Sequence, residues 1–558
     1  MGRSRHPFCH RFDRLRHTLA RSGRLVLLGA IGCSIATAAS ATLPRLRLPS
    51  STGPGGIDSD RLHQAPYNLT GRKIGIGQVE IGRPGRFGLD KSVANANDFI
   101  PAGLFVLEAP VASDEYIDGH AHSVAGVMIG RPGKFASGVA PGARLYSAAT
   151  GPSEGNGQAS ECLASQQIAL QDGGDVRAIN YSFGEPLSQD DRLNAALDGN
   201  SLLTLCVDWS ARAHEVLYLI AGNQGGGGIS IPTDTFNGIN VAFTRRFKGM
   251  FSKLDFANLG NVVTGVGRHL VGLESNAGLR RSIGMVAPGA DVALYELGGQ
   301  ISYASGTSFA TPHVTATVAL LQEWGDRQLA AKQARWSPDA RRHQVMKAVL
   351  MNSAEKAQDA GDGLRLGMTR DVWREDEKTW LDSDAFGDPT IPLDEQIGAG
   401  QLNAYRAYQQ FAPGQWQPGE AAPLIGWAFQ SLTLKDDQLA FHDYPIAQPL
   451  QGGSFAALTL TWSRHVDLLD RNNNGKFDRG EGFVSKGLSD FDLYLIPEGE
   501  TVATTTNPCR SISSVDSVEH VFCEVPKTGR YRVRVALKEA AVGQSDEYAL
   551  AWWTKGAD

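Results

Sequence analysis

The sequence predicts an α/β domain built on a mostly parallel sheet flanked by helices, followed by a smaller all-β sandwich. Three observations carry this. At 558 residues the chain is too long for one ordinary core. From about residue 71 to 411, short apolar runs alternate with amphipathic stretches, as in a parallel sheet with crossover helices. Beyond a Pro/Gly-rich joint the pattern changes to period two, the signature of strands with one face inward.

In chain order, residues 1–41 read as a targeting leader: Arg11, Arg14, Arg16, Arg21 and Arg24 precede the apolar run 25–35, and Ala39-Ser40-Ala41 fits a cleavage site. Ala30-Ile31-Gly32-Cys33 also bears a faint likeness to a lipoprotein site, which keeps lipid anchoring at Cys33 open. Residues 42–70 form an N-terminal extension. Within 71–411, strands are expected at 73–79, 144–146, 178–181, 217–221 and 285–287, with helices at 122–129, 160–172, 208–215 and a strongly apolar one at 307–324. Charge and glycine interrupt the rhythm at 356–396, which reads as a surface insertion. Residues 412–430 read as a linker, and the sandwich, 431–558, has strands expected at 457–462, 490–496, 531–535 and 548–553.

The leader holds seven arginines and one aspartate, so the rest of the chain is six charges more acidic than the whole chain's −6. That excludes nucleic acid as the expected partner, since binding it needs a basic face. No later run is long and apolar enough to span a bilayer. Outside the leader four cysteines remain in a compartment that permits disulfides. Cys509 and Cys523 are placed to bridge two strands, whereas Cys162 and Cys206 read equally as a bridge or as buried thiols.

A serine hydroxyl becomes a nucleophile only when a base takes its proton and an acid orients that base. Ser308 stands in Gly306-Thr307-Ser308-Phe309-Ala310-Thr311-Pro312-His313 at the start of the apolar helix, where backbone N–H groups also suit an oxyanion. His120, in Asp118-Gly119-His120-Ala121-His122, precedes another helix, and Glu80 ends the first strand. Asn223, in Ala221-Gly222-Asn223-Gln224-Gly225, follows a strand and offers a side-chain amide. His120 and His122 admit a second reading, as two metal ligands on one strand face, but no third ligand motif follows them.

These blocks resemble the subtilisin family of serine peptidases. The Ser308 block is similar to the family's Gly-Thr-Ser-Met-Ala-x-Pro-His-Val, with Phe309 for Met; His120 matches the first histidine of His-Gly-Thr-His-Val-Ala-Gly, and Asn223 its Ala-Gly-Asn. Gly138-Val139-Ala140-Pro141, the block Ile179 to Gly184, Val286-Ala287-Pro288-Gly289 and the block Gly398 to Asn403 match in order, so the resemblance covers roughly residues 60–411. It departs from the family at Gln78-Val79-Glu80-Ile81-Gly82, where the family has aspartate, and in having little chain between Thr42 and the first strand for a precursor domain.

The resemblance implies a secreted or periplasmic serine endopeptidase acting on polypeptides through an acyl-enzyme. Ser308 would be the nucleophile, His120 the base, Glu80 the orienting acid, and Asn223 with the Ser308 N–H the oxyanion donors. It also implies a substrate bound as an added strand along Ser182, Phe183 and Gly184, with Ala221 and Gly222 lining the main pocket. The alternative from another class is a catalytically silent peptide-binding or adhesive protein on the same scaffold.

Asp470-Arg471-Asn472-Asn473-Asn474-Gly475-Lys476-Phe477-Asp478-Arg479-Gly480-Glu481 is a second motif. Asp470, Asn472, Asn474, Asp478 and Glu481 fall at positions 1, 3, 5, 9 and 12 of a calcium loop, with Gly475 at 6 and the Lys476 carbonyl at 7. Structural calcium is the expected cofactor, held between strands. The flanking strands resemble the C-terminal sandwich appended to secreted bacterial peptidases.

Overall fold

The computed structural model describes residues 50–94, 98–133, 136–151, 157–222, 231–254, 276–277, 279–434, 440–500 and 508–557. The leader, Cys33 and Asn223 lie outside these.

The α/β region is organised by β1 (Gly75–Glu80), α1 (Gly119–Ile129), β2 (Arg144–Ala149), α2 (Gln158–Ala169), β3 (Val176–Tyr181), α3 (Leu202–Ala213), β4 (Leu217–Ala221), β5 (Ile239–Phe247) and β6 (Met285–Pro288). The helices α4 (Thr307–Ala330), α5 (His343–Asn352) and α6 (Ala404–Phe411) follow. In space the strands run β2-β1-β3-β4-β5-β6, each pair parallel. Gly103–Val106 extends the sheet beyond β2, and Met250–Lys253 folds back antiparallel on β5. Strands β1, β3 and β4 are buried along their whole length, as a parallel sheet covered on both faces requires. The chain leaves β1 for β2 on one side and then returns to β3 on the other. That switch opens a crevice at the carboxyl ends of β1 and β3, where ligands bind in sheets of this kind.

The boundaries shift from expectation for local reasons. β1 includes Glu80 instead of stopping before it. α3 starts at Leu202, six residues ahead of the expected 208, because Ser201 is the cap and accepts from the Thr204 N–H. Asp208, which reads as a helix start, is a buried helical residue whose carboxylate accepts from the Thr235 hydroxyl and the Phe236 and Asn237 N–H groups. Cys162 and Cys206 form a disulfide that joins α2 to α3. Within 356–396, Val372–Trp373 adds to the sheet edge beside Met250–Lys253, and Trp380 is buried with its indole N–H on the Gly398 carbonyl.

The C-terminal strands are β7 (Ile425–Thr433), β8 (Ala440–Pro445), β9 (Phe455–Trp462), β10 (Asp490–Pro497), β11 (Arg510–Ser511), β12 (Val518–Glu524), β13 (Tyr531–Glu539) and β14 (Ser545–Trp553). They form two antiparallel sheets, β7-β14-β9-β12 and β8-β13-β10-β11. Their apolar interior alternates as period two demands: Leu458, Leu460 and Trp462 with Leu550 and Trp552 from one sheet meet Phe491, Leu493, Val533 and Val535 from the other. Cys509 and Cys523 are bridged, the second of them on β12.

The other face of β9 and β14 is buried as well, because α5 lies against it. All ten residues of α5 are buried, and Trp427, Phe429, Ala549 and Ala551 belong to the same core as Val345, Val349 and Leu350. Several of the polar groups trapped there are paired. Thr459 Oγ1 donates to Asn352 Oδ1 at 3.0 Å, Asn352 Nδ2 to Gln410 Oε1 at 2.7 Å, and Lys347 Nζ to the Phe236 carbonyl at 2.6 Å. The stretch expected to be a linker is bonded into this junction, with Gln415 N–H on the Arg335 carbonyl and Trp416 N–H on the Trp427 carbonyl. A chain cut after Phe411 is therefore expected to be insoluble or molten, since the apolar flank of α5 would face water. Loss of near-ultraviolet circular dichroism would show it, and a cooperatively melting fragment would refute it.

Candidate active site

Three elements bring the sequence-predicted chemistry together at the carboxyl ends of β1 and β3. Glu80 closes β1, pairs in register with Ala149, and is 3% exposed. His120 is the second residue of α1, whose cap is Asp118. The Asp118 carboxylate accepts from the Ala121 N–H at 2.8 Å, which fixes the helix start and hence the ring. His120 Nδ1 lies 3.4 Å from Glu80 Oε2. The longer side chain of glutamate thus reaches the imidazole from the end of the strand. Glu80 Oε1 is buried without a hydrogen-bond partner.

Burial is the largest single influence on His120 and disfavours its imidazolium. The hydrogen bond and charge of Glu80, with the charge of Asp118, act the other way and leave its pKa above the ordinary histidine value. Phe309, standing where the family motif has methionine, packs its ring 5.6 Å from that of His120. The neighbouring His122 differs in every respect: it is buried, its Nδ1 accepts from the Gly85 N–H, its ring lies 4.6 Å from Phe99, and burial drives its pKa down to about 4. Both histidines sit on a helix, where residues two apart do not share a face, so they do not form a metal pair. His313 is likewise a packed residue, bonded to the Phe309 carbonyl and Ser51 Oγ.

Ser308 is the second residue of α4, in the turn whose N–H groups lack helical acceptors. Its Oγ donates to the Ser182 carbonyl at 3.1 Å, and Ser182 Oγ donates back to the Ser308 carbonyl at 2.9 Å. The end of β3 is thereby tied to the start of α4. Phe183 stacks on Tyr181 with 5.1 Å between centroids, and Gly184 is exposed. Ala221 closes β4, and Gly222 is held by its N–H on the Val241 carbonyl at 2.8 Å. A side chain at Gly222 would come within 3.0 Å of Asn240 Oδ1 and the Val241 carbonyl.

The loop 470–481 lies elsewhere, between the strands His465–Leu468 and Phe483–Gly487. Its oxygen side chains turn inward. Asp470 accepts from the Gly475 N–H, Asp478 Oδ2 from the amides of Asn472 and Asn474, and Glu481 from the N–H groups of Arg471 and Asp478. Gly475 takes the left-handed φ of 72° that position 6 requires. Among the described residues no group of three or more His, Cys, Asp or Glu side chains gathers to hold a metal, so a cation here would depend on the two asparagines and the Lys476 carbonyl as well. That oxygen-only donor set suits calcium. Phe477 is buried against Leu163, Leu205 and Val466, its backbone N–H and carbonyl bonded to Gln166 of α2.

The parallel α/β sheet flanked by helices is subtilisin-like, and an acid, a histidine and a serine stand in that chain order at its strand ends and helix starts. The model of the subtilase family matches residues 108–368. The match takes in His120 and Ser308 and leaves Glu80 outside. Subtilisin NAT of Bacillus subtilis subsp. natto is 26% identical over 268 residues, 48% of this chain and 59% of the relative, so the chain matches less than two thirds of that protein's length. Subtilisin Savinase of Lederbergia lenta is 28% identical over 218 residues, covering 38% of this chain and 67% of the relative. The solved structure of prenylagaramide maturation protease PagA covers 60% of this chain and 92% of its own at 19% identity and a TM-score of 0.38, too low to add to what the topology shows.

Proposed function

We propose that this chain is an exported serine endopeptidase that cleaves polypeptides through an acyl-enzyme, using Glu80 in the place of the family's aspartate. The pairing of His120 Nδ1 with buried Glu80 Oε2 carries the reading. An acid at Nδ1 holds the tautomer that leaves Nε2 free to take a proton, and it stabilises the imidazolium that results. In the free enzyme Ser308 Oγ is committed to the Ser182 carbonyl. A substrate strand laid along Ser182, Phe183 and Gly184 brings its own N–H donors to that edge, competes for the carbonyl, and releases the hydroxyl for His120. Attack on the scissile carbonyl develops an oxyanion for which the Ser308 N–H is one donor, with the amide of Asn223 assigned as the other on the family motif. His120 then returns the proton to the leaving amine, and Ala221 and Gly222 line the side-chain pocket. Labelling with a fluorophosphonate probe tests the reading, since an inert peptide-binding scaffold leaves Ser308 unactivated and unlabelled.

Export is supported by the leader pattern in residues 1–41 and by the two disulfides. No helix among the described residues is long and apolar enough to cross a membrane.

Calcium, held by Asp470, Asn472, Asn474, Asp478, Glu481 and the Lys476 carbonyl, would give the loop 470–481 its structural role. Adding calcium to chelator-treated protein is expected to raise Tm by several degrees, with Glu481→Gln losing most of the rise. Identical melting of both proteins with and without calcium would remove the site.

A further inference from the structure

Two carboxylates beside the substrate edge have no place in this mechanism. Glu185 follows Ser182, Phe183 and Gly184 directly, and its backbone bonds to Ile231 in both directions, N–H to carbonyl at 2.9 Å and carbonyl to N–H at 2.7 Å. Glu161, in the first turn of α2, is 1% exposed and its carboxyl hydrogen-bonds to that of Glu185. Glu161 Oε2 is buried without a partner. No basic side chain pairs with either acid among the described residues. Arg479, which comes close to this turn, donates instead to Ser160 Oγ at 2.9 Å.

Gly157 stands between the two acids. Its φ of −69° and ψ of −20° suit any residue, so the glycine is not explained by backbone freedom. What it supplies is room: a Cβ there would lie 2.5 Å from Glu185 Oε1 and 3.1 Å from Glu161 Oε1. Burial, then the hydrogen bond and charge of Glu185, push the Glu161 carboxyl well above the usual carboxylate range. A buried carboxyl with an unpartnered oxygen, set against a second carboxylate that is partly exposed beside the substrate edge, is a site suited to a cation.

We infer that Glu161 and Glu185 form a subsite for a lysine or arginine side chain of the substrate. The inference rests on the peptidase reading and deepens it. Glu185 lies three residues along the edge from Ser182, about 10 Å at strand spacing, so the basic residue falls about three or four positions from the scissile bond. When its ammonium or guanidinium enters, the incoming charge favours the ionised form of Glu161, and a proton held there leaves to water. The chain's net −6 favours approach of such substrates.

A position-resolved peptide library, followed by kcat/KM for matched peptides with lysine or norleucine at the selected position, tests this. Wild type is expected to prefer lysine about tenfold or more. Glu185→Gln should bring the ratio close to one, Glu185→Asp should retain most of it, and Glu185→Lys should reverse it in favour of glutamate, which a merely structural role would not do. Glu161→Gln should also flatten the ratio. Should that variant not fold, the partly exposed Glu185 series still decides. Cleavage of library peptides with no basic preference in wild type, or an unchanged preference in Glu185→Gln and Glu185→Lys, overturns the subsite alone. Wild type that neither labels nor cleaves any peptide overturns the peptidase reading and the subsite with it.

Discussion

Glu80→Gln is expected to lower kcat/KM by about four orders of magnitude while leaving the fold in place. The amide matches the carboxylate in size and can still reach His120 Nδ1, now 3.4 Å from Glu80 Oε2. It carries no charge to balance the imidazolium, however, and its NH2 end favours the wrong tautomer. The pH profile gives a second sign. Glu80 is a principal cause of the raised pKa of His120, and activity needs the neutral ring. Activity in wild type is therefore lost as pH falls through that raised value, and in Glu80→Gln the acid limb of the residual activity should move to lower pH. Glu80→Asp keeps the charge but withdraws it by one methylene from a site built to glutamate's length, and a displacement of about an ångström costs on the order of a hundredfold. If Glu80→Gln were as active as wild type, His120 would be served by another acid. Asp118 is the nearest in sequence, but its carboxylate is committed to capping α1 through the Ala121 N–H.

Ser308→Ala is expected to remove all fluorophosphonate labelling and to lower kcat by about a millionfold, to what the oxyanion donors and binding alone provide. The change deletes one oxygen and one hydrogen bond, that to the Ser182 carbonyl at 3.1 Å. The expected loss of stability is therefore about 1 kcal/mol, a shift of about a degree in Tm for a unit of this size. The reciprocal bond from Ser182 Oγ to the Ser308 carbonyl survives and holds the edge of the cleft against α4. Turnover equal to wild type in the purified variant would end the assignment of Ser308.

Much of this site is legible in the amino-acid sequence because its parts are locally encoded. An apolar run marks a helix start close to His120, expected at 122 and found at Gly119 because Asp118 caps it, and Gly306-Thr307-Ser308 ahead of a long apolar run marks the start that carries the serine. The loop 470–481 is read from spacing alone. Expectation and fold part where local signals compete. Asp208 reads as a helix start and is a buried acceptor inside α3, because Ser201 caps the helix earlier in the chain. Residues 412–430 look like a flexible joint, yet the strand β7 begins at Ile425 and the preceding turn is bonded to Arg335 and Trp427.

The sequence by itself determined the two fold classes, the chain order of the candidate acid, base and nucleophile, and the chemistry available at each position, since periodicity, capping and residue type act over a few neighbours. The tertiary structure alone decided which of these meet. It brings Glu80 across from the end of one strand to the first turn of α1, closes Cys162 onto Cys206 over a sequence separation of 44, and buries α5 between the sheet and the sandwich. It also sets Glu161 against Glu185 from two different elements. Contacts of this kind depend on how helices and strands pack over long separations, and no window of the sequence contains both partners.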